Sequence, residues 1–201
     1  MKFSVGSHGL AALTALALTT TAFAAPATYE IDKDHTYPSF EADHMGISMW
    51  RGKLNASTGK LVLDKDAGTG TVEITVDLNS IDFGQDALSK WAVGPEFFDT
   101  AKYPKAVYKG KLEGFKPGGN PKVTGELTLH GVTRPVALKV NSFKCIEHPM
   151  LKRDYCGADA LATFQRDQFG LSAGKDYHFN MEVTLRIQVE AIKAEDGKKP
   201  S

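Results

Sequence analysis

The feature that most constrains this chain is a strict alternation of apolar and polar residues over residues 179–191, FNMEVTLRIQVEA. A period of two predicts a long β-strand with one face buried and the other in water. A strand of this length is typical of a packed sandwich or of a closed barrel, and only a barrel leaves room for a ligand in its interior. The pattern therefore raises a choice between a filled core and a cavity.

The sequence pattern also predicts strands and turns in the rest of the chain. Regular alternation recurs over residues 71–79, 122–130 and 135–141, with Val72, Ile74, Val76 and Leu78 predicted to face inward. Full closure removes exposed strand edges, so we expect an all-β fold, an antiparallel up-and-down barrel of about eight strands. Less regular strands are predicted over residues 29–33, 39–45, 52–64, 105–115 and 157–165, and only residues 85–93 are predicted to be helical.

One connecting segment, residues 81–98, collects the bulky rings Phe83, Trp91, Phe97 and Phe98. Rings must be buried, and the end of a barrel is the place available for them. We therefore predict that this segment, with its short helix, caps one mouth of the barrel.

The first 24 residues have the plan of a secretory signal peptide, with Lys2, an apolar stretch over residues 10–18, and a small-residue cleavage site before Ala25. We predict a signal peptide over residues 1–24, one domain over residues 25–192 and a polar tail over residues 193–201. The expected location is the periplasm, and no integral membrane segment is predicted. The 24 basic and 24 acidic residues balance, which argues against nucleic acid as a partner.

The only two cysteines are Cys145 and Cys156. In an exported protein a disulfide is the leading interpretation. His148 between them keeps a metal site open as an alternative, but two thiolates and one imidazole lack a fourth ligand, so no metal is predicted. A redox-active pair is the remaining alternative.

Five stretches of the sequence carry a resemblance to a known family. They are YEIDKDHTYPSFEADHMG (29–46), SID (80–82), FFDTAKYP (97–104), GELTLHGVTRPVAL (125–138) and RDQFGL (166–171). Together they resemble the YceI-like, or polyisoprenoid-binding, family of periplasmic lipocalin-like barrels. The resemblance implies a barrel whose apolar lumen binds an isoprenoid lipid or prenyl quinone, with no catalytic residues and no other cofactor.

The expected ligand-binding residues line that lumen and its mouth. The family commonly has an arginine and a histidine between the SID and FFD motifs, where this chain has Leu88 and Trp91. That departure favours a neutral head group, such as a quinone, over a prenyl phosphate. The predicted ligand-binding set is Phe40, His44, Trp50, Phe83, Leu88, Trp91, Phe98, Tyr108, Leu127, Leu129, Val136, Leu138, Phe164 and Met181.

Several alternatives stay open at the level of sequence. From alternation alone a filled core is the commoner outcome. An enzyme with a dispersed site of histidines and carboxylates, such as His35 or His44, is less favoured because no nucleophile or metal-protease motif is present. An interaction or stress-response partner of a membrane quinone enzyme would need an exposed apolar patch, which the alternation does not predict. Arg166 is predicted to tie the late strand to a carboxylate, and a homodimer is the default oligomer.

Overall fold

The computed structural model describes residues 25–116 and 119–195. The predicted signal peptide, residues 1–24, and most of the predicted tail, residues 196–201, lie outside the described residues. Within the described part, no helix is long and apolar enough to cross a membrane.

The described chain contains twelve strands, one α-helix and three short 3₁₀ helices. The helix, α1, spans Asp86–Ala92, as the sequence predicts to within one residue. The strands are β1 (Ala27–Ile31), β2 (Ser39–His44), β3 (Ser48–Leu54), β4 (Ser57–Asp64), β5 (Thr69–Asp77), β6 (Ile81–Asp82), β7 (Lys105–Glu113), β8 (Lys122–Leu129), β9 (Val132–Pro135), β10 (Leu138–Glu147), β11 (Asp154–Gln165) and β12 (Glu182–Lys193).

Eight of these strands close into one antiparallel barrel, as the sequence predicts. They follow the order β1, β4, β5, β7, β8, β10, β11, β12, and β12 pairs back onto β1 through Ile31 and Ala191. The prediction of about eight antiparallel strands in an up-and-down order is therefore confirmed.

Two predicted strands are each divided in the structure. The segment 52–64 breaks between β3 and β4, where Asn55 and Ala56 donate backbone hydrogen bonds to the carbonyl and hydroxyl of Ser80. The segment 135–141 breaks between β9 and β10, where the amide of Val136 donates to the carbonyl of Gly125. Alternation continues through such breaks, so the sequence pattern alone did not reveal them.

The opening residues of the long alternating stretch are not in a strand. β12 begins at Glu182, because the chain before it is held in a turn in which the amide of Phe179 donates to the carbonyl of Gly174. From Val183 to Val189 the prediction is correct, and the apolar positions of β12 face the interior.

The hairpin of β2 and β3 leaves the barrel wall at one end. β2 pairs with the first half of β12, and β3 pairs with β2 along its whole length. On its other side β3 pairs only at Lys53 and Leu54, with β6. In the described chain, residues 48–52 of β3 therefore have a strand partner on one side alone.

Buried side chains form two separate clusters along the barrel. The floor cluster closes one end, and its members include Tyr29, Leu63, Phe115 and Phe143. The cap cluster lies at the other end beneath α1, with Leu78, Ala92, Phe98 and Phe169 among its members. The space between the two clusters is the part of the interior that can be hollow.

Polar side chains around the floor cluster form hydrogen bonds and an ion pair with one another. Tyr29 is 1% exposed, and its hydroxyl donates a 2.6 Å hydrogen bond to Asp154, which also forms an ion pair with Lys65. Burial, and then the bond to Asp154, raise the pKa of Tyr29. Burial alone would raise the pKa of Asp154, but the hydrogen bonds from Lys65 and Tyr29 outweigh burial and lower that pKa. The tyrosine is therefore neutral and the aspartate ionised at neutral pH.

A disulfide links Cys145 and Cys156 at the floor end. The two residues face each other directly across β10 and β11, with their Cα atoms 4.0 Å apart. The leading interpretation from the sequence is therefore confirmed.

We expect reduction of this disulfide to lower the free energy of unfolding by about 3 kcal/mol, because a closed loop of this length restricts the unfolded chain. Urea unfolding with and without a thiol reductant measures the change, and the double variant Cys145→Ser/Cys156→Ser, which the reductant should not affect, is the control. A reduced wild-type protein as stable as the oxidised one would contradict the expectation.

Candidate functional site

The barrel encloses a cavity of about 460 Å³ between the floor and cap clusters. Sites for small molecules commonly have volumes of about 300–1,000 Å³. Apolar side chains from β2, β3, β5, β6, β7, β8, β10, β11 and β12 form its walls. Because alternating residues of so many strands converge on this space without filling it, the interior is hollow and the filled-core alternative is wrong.

Most of the predicted ligand-binding residues lie on this wall. Eleven of the fourteen line the cavity: Phe40, Trp50, Phe83, Leu88, Trp91, Phe98, Tyr108, Leu127, Leu129, Leu138 and Phe164. Their contact with a ligand stays a prediction. Other wall residues, including Thr36, Asp43, Leu185 and Arg166, were not in the predicted ligand-binding set. The apolar positions of β5 and β12 were predicted to face inward from their alternation, but they were not included in the ligand-binding set.

The cap covers one end of the cavity as predicted. Helix α1 begins after Gln85, whose side chain accepts a hydrogen bond from the amide of Leu88. The ring of Trp91 stacks on Phe97 at 5.1 Å, and Phe97 contacts Phe98 at 4.7 Å. These ring contacts hold α1 and the segment after it over the barrel end.

A second pocket, the vestibule, lies beside the cavity between α1 and β3 and is open to solvent. Met49 and Arg51 of β3 form one side, and Gln85 and Ala87 form the other. Four residues belong to both spaces, namely Trp50, Phe83, Leu88 and Trp91. The positions at which this chain departs from the family pattern, 88 and 91, therefore lie between the cavity and the vestibule.

Three predicted ligand-binding residues do not line the cavity. His44 lies outside it, stacked on Trp50 with ring centroids 4.0 Å apart. Val136 and Met181 are buried in packing. Their carbonyl oxygens accept hydrogen bonds from the Tyr108 hydroxyl, at 3.0 Å, and from the amide of Arg166, at 2.8 Å. These two residues support wall residues through the backbone, so their inclusion among the lining side chains was wrong.

Two polar side chains of the wall, those of Tyr108 and Arg166, donate hydrogen bonds to backbone carbonyl oxygens. Burial raises the pKa of Tyr108 to about 12, so its hydroxyl stays protonated and donates to Val136. The Arg166 guanidinium donates to the carbonyl oxygens of Leu171, at 2.7 Å, and Ala173, at 2.6 Å. The prediction that Arg166 ties the late strand to a carboxylate was therefore wrong, because its partners are backbone carbonyls.

The comparisons with known proteins agree with this geometry. The family model described as the YceI-like domain matches residues 29–191. The chain belongs to the YceI-like family. A UPF0312 protein of Enterobacter sp. (strain 638) is 35% identical over 179 residues, which cover 88% of this chain and 92% of that protein. The protein YceI of Salmonella arizonae is 34% identical with the same coverage.

Solved structures show the same YceI-like fold. Burkholderia cenocepacia BcnA matches with a TM-score of 0.66 at 20% identity, over 80% of this chain and 98% of BcnA. A polyisoprenoid binding domain from Saccharophagus degradans, implicated in plant cell wall breakdown, matches with a TM-score of 0.62 at 17% identity. That match covers 83% of this chain and 98% of the domain.

The histidines of the YceI-like domain lie away from the cavity wall. His35 is exposed and its Nδ1 lies 2.8 Å from the Asp32 carboxylate, and the hydrogen bond to Asp32 is the main reason that its pKa is raised. His130 packs on Tyr103, and its Nδ1 lies 3.2 Å from the carbonyl oxygen of Phe169. Each therefore has a structural partner.

An apolar patch at the turn between β2 and β3 is exposed, which the alternation did not predict. Met45, Ile47 and Met49 are 53%, 78% and 45% exposed. Met45 and Gly46 have φ values of 58° and 71°, the conformation of a tight hairpin turn that favours glycine or asparagine. Because Met49 also lines the vestibule, this patch lies beside that pocket.

Proposed function

We propose that this protein binds an isoprenoid lipid, either a polyprenyl chain or a prenyl quinone, in the barrel cavity. The observation that carries the proposal is the apolar cavity between the two buried clusters. The polyisoprenoid-binding description of the Saccharophagus degradans neighbour supports it. We further propose that the protein sequesters or transports this lipid in the periplasm after removal of residues 1–24.

The physical basis for binding is burial of hydrocarbon. A prenyl tail has no polar atoms, so its recognition needs apolar walls and little directional bonding. Burying about 400 Å² of tail would contribute roughly 10 kcal/mol before the entropy of association is subtracted. Such walls are what β5, β8 and β12 supply through Ile74, Leu127 and Leu185.

We propose a carrier without catalysis. His35 lies on the outside against Asp32, and His44 stacks on Trp50 outside the lining, so the histidines named for an enzymatic alternative do not meet in the cavity. Replacing His35 by asparagine should leave the bound lipid unchanged. The alternative of a partner protein for a membrane quinone enzyme keeps the same cavity and would use the exposed patch of Met45, Ile47 and Met49.

The direct test is to identify what the protein carries. Protein purified from its native periplasm is extracted with organic solvent, and the extract is analysed by mass spectrometry. We expect a prenyl lipid at close to one molecule per chain. A repeatedly empty extract, together with no uptake of added geranylgeraniol, would overturn the proposal.

A further inference from the structure

Arg166 places a positive charge in the wall of a mostly apolar cavity, where Asp43 is the other charged lining residue. The residue is 7% exposed and lines the cavity at the cap end, near Leu171 and Ala173. Removing a charge from water is costly unless an opposite charge or a full set of hydrogen bonds replaces the water. The hydrogen-bond partners of this guanidinium therefore indicate whether its role is only structural or whether it can also bind a ligand.

The chain itself satisfies the guanidinium only in part. Two of its five N–H groups donate to the carbonyl oxygens of Leu171 and Ala173, and its Cζ lies 5.7 Å from the centre of the Phe97 ring. Carbonyls and a ring face supply partial negative charge, not a full counter-charge.

Within residues 25–116 and 119–195, no carboxylate forms an ion pair with Arg166. The neighbouring Asp167 is bound instead to Lys175, at 2.7 Å, on the exposed side of the turn. Burial lowers the pKa of Arg166, and the charge on Asp167 opposes that effect. An arginine nevertheless stays protonated in proteins, so the wall holds a guanidinium that has no carboxylate partner among the described residues. The other charged lining residue, Asp43, accepts hydrogen bonds from the amides of Gly46 and Asn180 instead.

We propose that Arg166 binds an anionic head group of the ligand, such as a phosphate or carboxylate, at the cap end of the cavity. The inference rests on the proposed function and adds the direction of binding. The head group lies beside Arg166, and the tail runs toward the floor cluster along Ile74, Ile187 and Val189.

This inference changes the expectation for the head group. The apolar residues at Leu88 and Trp91 favoured a neutral head group, because no donor lies at those positions. The structure supplies a donor from a different segment, Arg166, on the same cavity. A guanidinium presents paired N–H groups that match a carboxylate or phosphate, which a quinone carbonyl matches less well.

The competing explanation is that Arg166 only stabilises the turn over residues 166–174. Arg134 offers a matched control, because its Nε donates to the carbonyl oxygen of Gln168 in the same turn, at 3.2 Å, from the exposed side. Replacing Arg134 removes a guanidinium–carbonyl bond from this turn without altering the cavity wall.

The test compares two probes with the same tail, geranylgeranyl phosphate and geranylgeraniol. Delipidated full-length mature protein is titrated with each, for the wild type and for Arg166→Met, Arg166→Lys and Arg134→Met. We expect Arg166→Met to weaken phosphate binding by about 10- to 100-fold, because a charge-assisted hydrogen bond is lost, and to change alcohol binding by less than about threefold. Arg166→Lys should retain the preference for phosphate, and Arg134→Met should behave as the wild type.

The outcomes separate the inference from the proposed function. An equal loss of both probes in Arg166→Met and Arg166→Lys, or a wild type without preference for the phosphate, would overturn the inference. If Arg166→Met does not fold, Arg166→Lys decides through the ratio of the two affinities. A wild type that binds neither isoprenoid but prefers oleate to oleyl alcohol through Arg166 would overturn the isoprenoid proposal and support the head-group inference.

Discussion

Replacing Ile187 by tryptophan is expected to weaken isoprenoid binding at least tenfold while the barrel stays folded. Ile187 projects into the cavity between the two clusters, so the larger ring would occupy space that the tail needs. Displacing about 60 Å² of buried tail corresponds to about 1.5 kcal/mol, or about tenfold in affinity. Titration with geranylgeraniol measures the loss.

The same variant distinguishes a hollow interior from a solid one. In a filled core the extra ring would cost about 1–3 kcal/mol through strain. In the cavity it finds free space, so urea unfolding of the delipidated protein should show no such cost. Gln188→Trp, at the next and exposed position of β12, is the matched control and should bind as the wild type does. Unchanged binding by Ile187→Trp would contradict the assignment of the cavity as the ligand site.

Replacing Tyr29 by alanine is expected to produce the largest loss of stability. Tyr29 is among the largest fully buried side chains and packs in the floor cluster, so its removal leaves a void. Truncation of a buried aromatic residue costs about 3–5 kcal/mol, which for a domain of this size lowers the melting temperature by roughly 10 °C.

The conservative variant Tyr29→Phe separates packing from the hydroxyl. It keeps the ring and removes only the hydrogen bond to Asp154, which still has Lys65 as a partner. We expect a loss of about 1 kcal/mol. Thermal unfolding of both variants at neutral pH measures the two contributions, and equal losses would show that the hydroxyl, not the ring, stabilises the floor cluster.

The sequence predicted the barrel because alternation is a local property of each strand. The apolar positions of β12 and β5 were assigned to the interior correctly, and the cap was placed from its rings alone. Alternation could not decide whether facing side chains meet, because that depends on the diameter of the closed barrel. The resemblance to the family, not the pattern, favoured a cavity.

The predictions that failed concern residues that contact the site through their backbone, or whose partners come from distant segments of the chain. Val136 and Met181 are apolar and buried, yet it is their carbonyl oxygens that contact Tyr108 and Arg166. Arg166 was predicted to pair with a carboxylate. Its burial depends on the carbonyls of residues 171 and 173 and on Phe97 from the cap, contacts that no local pattern encodes.

The one-sided pairing of β3 has a kinetic consequence. Along residues 48–52 of the described chain, no strand pairs with β3 on the side that faces α1. The side chains of Trp50, Phe83 and Trp91 line the space between β3 and α1. Rotation of these three side chains breaks no backbone hydrogen bond, and side-chain rotation is many orders of magnitude faster than global unfolding. We therefore expect exchange of a ligand bound in the cavity to have a low activation barrier that mutations in the floor cluster leave unaltered.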